Sequence, residues 1–155
     1  MPESRAGLGD TRQVLRGSGP KATIRFGGKP EFMNDVNPGS LEAKFALINE
    51  PWRPKVVAEV NGQELKLARF AGAFPWHRHE CEDELFLVWR GEMVLEFRDR
   101  SVALGPGQFC VVPRGVEHRT LAERGAEVLI FEPAQTRNTG NVIDEQFTAP
   151  NGVRV

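Results

Sequence analysis

The sequence is short of most features that mark a specialised environment. It has only two cysteines, Cys81 and Cys110, too few for a disulfide framework, and neither belongs to a CxxC pair. A reducing compartment suits such thiols. No apolar run approaches the roughly 18 residues that span a bilayer, and the N-terminus carries no apolar stretch of the signal-peptide kind. There is no basic excess either. The 20 Lys and Arg stand against 21 Asp and Glu, a net charge of −1, which leaves no electrostatic footprint for nucleic acid. These absences exclude a disulfide-stapled module, a membrane-spanning helix and a charge-driven nucleic-acid binder, and the expectation is a soluble cytoplasmic domain. At 155 residues, with 40% hydrophobic and 26% charged, the chain has the size and composition of one globular domain.

Backbone punctuation is plentiful. Sixteen Gly and eleven Pro point to many short elements joined by tight turns, the habit of all-β domains. Seven of these Gly and four of the Pro fall within residues 1–40, where the apolar residues show no sustained period. Residues 1–36 are therefore read as an arm, flexible or docking on a partner, with one short strand at Ala22–Phe26. A short helix follows, with Asn37 as its cap, Pro38 at its first position, and Leu41, Phe45 and Ile48 on one face. The prolines at 51 and 54 stop it.

From Lys55 the pattern changes to strands. Lys55–Val60 and Gln63–Phe70 flank Asn61-Gly62, a hairpin signal because both residues tolerate the positive φ of a type I′ turn. Further strands are predicted at Trp76–His79, Glu84–Trp89, Glu92–Arg98, Ser101–Leu104, Gln108–Val112, His118–Leu121 and Glu127–Glu132, most separated by Gly, Pro or Asp turns such as Arg124-Gly125. Nine or so strands at this spacing predict a small antiparallel barrel or jelly roll over 37–140, with a polar tail at 141–155. In one strand Glu84, Phe86 and Val88 share a face and Leu85, Leu87 and Trp89 share the other. Two apolar faces predict an outer cover, either a second copy in a homodimer or the N-terminal arm.

All three histidines lie in this region. His77 and His79 alternate along a strand and so share a face. Glu84 follows after an acidic loop, and His118 needs only barrel closure to join them. Three imidazoles and a carboxylate suit one borderline divalent ion: iron, manganese, nickel, copper or zinc. Glu117 and Glu123 are candidates for hydrogen bonds to the rings. No Ser-His-Asp or activated-cysteine arrangement competes, and Cys110 reads as a small core residue.

The spacing around these residues resembles a known family. Gly72-Ala-Phe-Pro-Trp-His77-Arg-His79-Glu-Cys-Glu-Asp-Glu84, continuing to Gly91, is similar to the first cupin motif, G-x5-HxH-x3,4-E-x6-G, with the first glycine one residue nearer the histidine. Gly107-Gln-Phe-Cys-Val-Val-Pro113-Arg-Gly115-Val-Glu-His118 resembles the second, G-x5-PxG-x2-H-x3-N, with Ala122 in place of the closing Asn. The resemblance covers roughly 40–140. It implies a conical antiparallel β-barrel of jelly-roll type, often dimeric, with one metal held by His77, His79, Glu84 and His118. The organisation also resembles the small single-domain cupins labelled mannose-6-phosphate isomerase-like.

Two functions fit these residues. One is a metal-dependent enzyme (oxygenase, isomerase or decarboxylase type) acting on a small molecule such as a sugar or organic acid, in a pocket lined by Phe86 and Val88 with Trp76 at its mouth. The other is a non-catalytic binding or sensor module whose metal is structural. No residue outside the ligand set stands out as a general acid or base.

Overall fold

The computed structural model describes residues 37–155. The expected arm at 1–36, with its strand at Ala22–Phe26, lies outside them. Two of the hairpin strands are those the sequence predicts: β1 (Lys55–Val60) and β2 (Gln63–Ala73) meet at Asn61-Gly62, whose φ values are 52° and 77°. β2 runs three residues further than expected. β3 (Glu84–Gly91), β4 (Met93–Phe97), β5 (Ser101–Leu104), β6 (Phe109–Val112) and the 16-residue β7 (His118–Pro133) follow. Among the described residues, all pairings between these strands are antiparallel. The sheet order is β1-β2-β7-β3-β6, while β4 pairs with both β5 and β7. The architecture is thus an antiparallel β-barrel with almost no helix, as the sequence implies.

Three local expectations are corrected. The strands expected at His118–Leu121 and Glu127–Glu132 are one strand, because Arg124-Gly125 forms a corner rather than a turn. Gly125 has φ 82° there, and the β2–β7 register slips between Phe70 and Gly72. One long strand can therefore pair with β4 through its first half and with β3 through its second. Gly91 approaches this corner so closely, at φ 78°, that a Cβ would collide with the Gly125 carbonyl oxygen. The second correction concerns Trp76–His79, which makes only an isolated bridge between His77 and His118. Pro75 offers no donor, and the Arg78 backbone is claimed by Asn141, whose Oδ1 accepts from Arg78 N at 2.9 Å and whose N donates to Arg78 O at 3.0 Å. The third is the helix, α1 (Leu41–Phe45). Its cap is Ser40 rather than Asn37, and the Ser40 hydroxyl accepts from Ala43 N at 3.3 Å.

Alternation sorts the side chains. Ala68, Phe70, Phe86, Val88, Met93, Leu95, Val128 and Ile130 face inward and are buried. Outward, Phe45 and Ile48 from the α1 region seal Leu67, beside Leu129. Two apolar rows continue from there across the sheet, because Leu67, Leu129, Leu87 and Phe109 are successive partners, as are Leu65, Phe131, Leu85 and Val111. The rows end exposed at the β6 edge, where Phe109 is 64% and Val111 48% accessible. The C-terminal segment returns to the barrel: Phe147 packs against Trp52 and Phe74, and Val153 O accepts from Val56 N at 2.8 Å. Among the described residues, no helix is long and apolar enough to cross a membrane.

Candidate metal centre

The segment before β3 and the starts of β3 and β7 deliver the four expected ligands to one place. His77 and His118 face each other because they exchange both backbone hydrogen bonds, at 3.0 and 2.9 Å. His79 is two residues from His77, and Gly115 N donates to its carbonyl at 2.6 Å, tying the segment to the loop before β7. Glu84 opens β3 on the inward face. Ligand atoms of all four residues lie within 4.8 Å of one another. All are buried, His118 completely. Glu84 Oε2 is 3.3 Å from His79 Nε2 and 3.4 Å from His118 Nε2, spacings natural to donors sharing an ion at about 2.1 Å.

The rings are oriented by backbone carbonyls. His77 Nδ1 lies 3.0 Å from Pro75 O and His118 Nδ1 lies 3.1 Å from Val116 O. A proton on each Nδ1 satisfies these contacts and leaves Nε2 as a lone pair facing the cluster. The acidic residues expected to do this do not: Glu117 instead pairs with Arg98 at 2.7 Å, and Glu123 is exposed. Burial, aided by His118, pushes the His77 imidazole down to about 4, so it is neutral at neutral pH. Burial alone would lower His79 too, but the Glu84 carboxylate outweighs it and raises the ring. Glu84, despite its burial, is held well below the usual carboxylate range by His118 and His79.

Three atoms at the centre of this cluster have no hydrogen-bond partner: His79 Nε2, His118 Nε2 and Glu84 Oε2. Each buried orphan costs about 1–3 kcal/mol. A divalent cation would satisfy all three at once, and it matches the chemistry of the donors. The residues present therefore fit one metal ion.

A narrow cavity, partly open to solvent and with sheltered room for little more than a water molecule, borders the cluster, with His77 and Glu84 in its wall. Phe86 lines it together with Trp52, Phe70 and Phe74. Val88 is buried among core residues and does not border it. Trp76 is outside it too, with the Arg98 guanidinium 3.9 Å from its ring.

One wall group was not singled out by the sequence. Leu85 pairs with Phe131 and Glu64 with Glu132, so Glu64, Glu132 and Glu84 come side by side on the inner face of three strands. Lys66 relieves part of this repulsion: its Nζ donates to Glu132 Oε1 at 2.9 Å and to Thr136 O at 3.3 Å, and lies 3.1 Å from Glu64 Oε2. Burial and the Glu84 charge nonetheless push Glu132 up to about 8. The available signal was parity. Glu64 and Lys66 share the alternation of Ala68 and Phe70, and Glu132 that of Val128 and Ile130, so charge was falling on core-facing positions.

This combination of barrel and His/Glu cluster defines a class, the cupins. The family profile described as a cupin domain matches residues 57–132, a span that holds all four cluster residues. The uncharacterized protein YdbB of Bacillus subtilis (strain 168) is 35% identical over 91 residues, covering 58% of this chain and 79% of YdbB. A cupin-2 domain containing protein of Shewanella frigidimarina, 39% identical, superposes with a TM-score of 0.60 over 61% of this chain and 92% of its own. A protein of Neisseria meningitidis, 28% identical, does so at 0.59 over 63% and 100%. The chain belongs to the cupin family.

Proposed function

We propose that this cupin is a divalent-metal-dependent enzyme acting on a small molecule, of the oxygenase, isomerase or decarboxylase type, and that it works as a homodimer in the reducing cytoplasm. The observation that carries the catalytic reading is a pair of features at one place: three orphaned buried donor atoms in one cluster, and a cavity that borders that cluster at Glu84 and His77. A purely structural ion needs no such access. His77, His79, Glu84 and His118 would hold the metal, which supplies Lewis acidity toward an oxygen of the bound molecule. Pro75 O and Val116 O keep two of the rings aimed inward. Trp52, Phe70, Phe74 and Phe86 give the molecule an apolar bed and exclude water. Both cysteines are free thiols, which supports the reducing setting.

Elemental analysis of protein purified without a histidine tag tests this reading. Wild type is expected to carry about one divalent ion per chain, and His79→Ala to lose it. Equal metal in both would remove the ligand assignment. A metal whose coordination sphere is closed to added small molecules would leave the non-catalytic module.

A further inference from the structure

We infer that Glu132 selects the ligand of the metal centre: its open carboxylate oxygen hydrogen-bonds a hydroxyl group that a small, neutral, flat molecule inserts into the cavity. The inference rests on the metal-dependent reading above and assigns the class of molecule that site takes.

Glu132 is 2% exposed and borders the cavity beside His77 and Glu84. Its two oxygens have different fates. Oε1 is held by Lys66, whereas Oε2 has no partner, although a buried polar atom left without one is costly. The holding is firm, since Lys66 is anchored at the same time by Glu64 and the Thr136 carbonyl. A side chain locked through one oxygen, with the other unsatisfied at a cavity, has the form of a ligand-recognition group.

The same contacts argue against an anionic ligand. Lys66 donates to Glu132 and Thr136 and lies in ion-pair contact with Glu64, so its charge is already shared between two carboxylates. No Lys or Arg is among the described residues of the cavity wall, while Glu84 and Glu132 both are. A phosphate or carboxylate there would give up its hydration beside two acidic side chains with no guanidinium or ammonium to receive it. A hydroxyl has no such difficulty, because it both donates and accepts and can satisfy Oε2 in either protonation state. Much of the remaining wall is aromatic, with Trp52 stacked on Phe70 at 4.7 Å and tilted against Phe74 at 4.9 Å, and Pro54, Thr120, Ile130 and Asn138 complete it. The rings suit a flat apolar body.

The test uses full-length wild type, Glu132→Gln and Glu132→Leu loaded with zinc, which adds no redox chemistry. Zinc per chain is measured by elemental analysis. Affinity for catechol, benzoate and mannose 6-phosphate is measured by calorimetry. Wild type is expected to bind catechol at least about tenfold more tightly than either anion. Glu132→Leu is expected to lose about tenfold in catechol affinity, the worth of one buried hydrogen bond, while keeping its zinc and gaining no weakness toward benzoate. Glu132→Gln preserves the bond to Lys66 and is expected to lose less than Leu; it also serves if the leucine variant does not fold. Failure of wild type to take up zinc would strike the metal reading. Full zinc with catechol affinity indifferent to position 132, or with an anion preferred, would overturn this inference alone.

Discussion

Replacing Lys66 with methionine isolates a buried electrostatic compensation in the barrel. The ammonium is 4% exposed and holds apart two carboxylates that are direct cross-strand partners, Glu64 and Glu132. Methionine fills similar volume but leaves both acids and Thr136 O without their cation. Breaking a buried ion pair by removing one member costs about 3–5 kcal/mol, against a total stability of about 5–15 kcal/mol for a domain. Urea unfolding followed by circular dichroism at 25 °C measures the loss as a shift in midpoint at constant slope. The pH dependence has a definite sign. Glu132 is raised in the folded protein, to about 8 from 4.5, so its favourable contribution is complete below pH 4.5 and disappears as pH rises through about 8. Without Lys66, which draws the value down, that loss deepens. The Lys66→Met penalty is therefore expected to be larger at pH 8 than at pH 5, and adding Glu132→Gln should recover part of it. A variant within about 1 kcal/mol of wild type at pH 8, well under the cost of a broken buried pair, would refute the picture of a buried, mutually dependent triad.

Gly91→Ala is expected to destabilise by about 2 kcal/mol or more, since the residue sits at positive φ and its Cβ meets the Gly125 carbonyl; thermal unfolding against a Gly107→Ala control, whose Cβ meets nothing within 4 Å, reads the steric part. The two outward apolar rows, continuous from the α1 region to the edge of β6, which pairs only with β3 among the described residues, are expected to be covered by a second copy of the chain. Light scattering should therefore give a dimer mass for wild type and a monomer for Phe109→Lys/Val111→Lys; a monomeric wild type would dismiss the homodimer.

The candidate ligand set was readable because strand parity and a motif spacing single out its residues. Strand parity puts His77 and His79 on one face even though their segment forms only a bridge, and the spacing to Glu84 and to Pro113-Arg-Gly115 matches a motif whose residue types are those a metal needs. The hairpin at Asn61-Gly62 was readable because its φ requirement lies within two residues. Less was readable at Gly125. A glycine at positive φ is compatible with a turn or with a bulge, and only the pairing of the next residue, Ala126, to Phe70 and Gly91 selects the bulge. The helix start shifted to Ser40 because a cap is chosen by the side chain that reaches an orphan N–H, and Ser40 does this where Asn37 does not.

Residue types and local period were thus enough for most of the strands, while the cupin barrel and the four residues of the candidate metal cluster came with the resemblance of their spacing to the cupin motifs. Register lay beyond them. The placing of Glu64, Glu132 and Glu84 in one row, with Lys66 between two of them, depends on how β2, β7 and β3 align across 20 to 70 residues of intervening chain. That alignment is set by closing the barrel, where a one-residue slip would turn every inward side chain out to water. The same closure brings His118 to the other ligands, and it makes the cavity's wall acidic and aromatic rather than cationic.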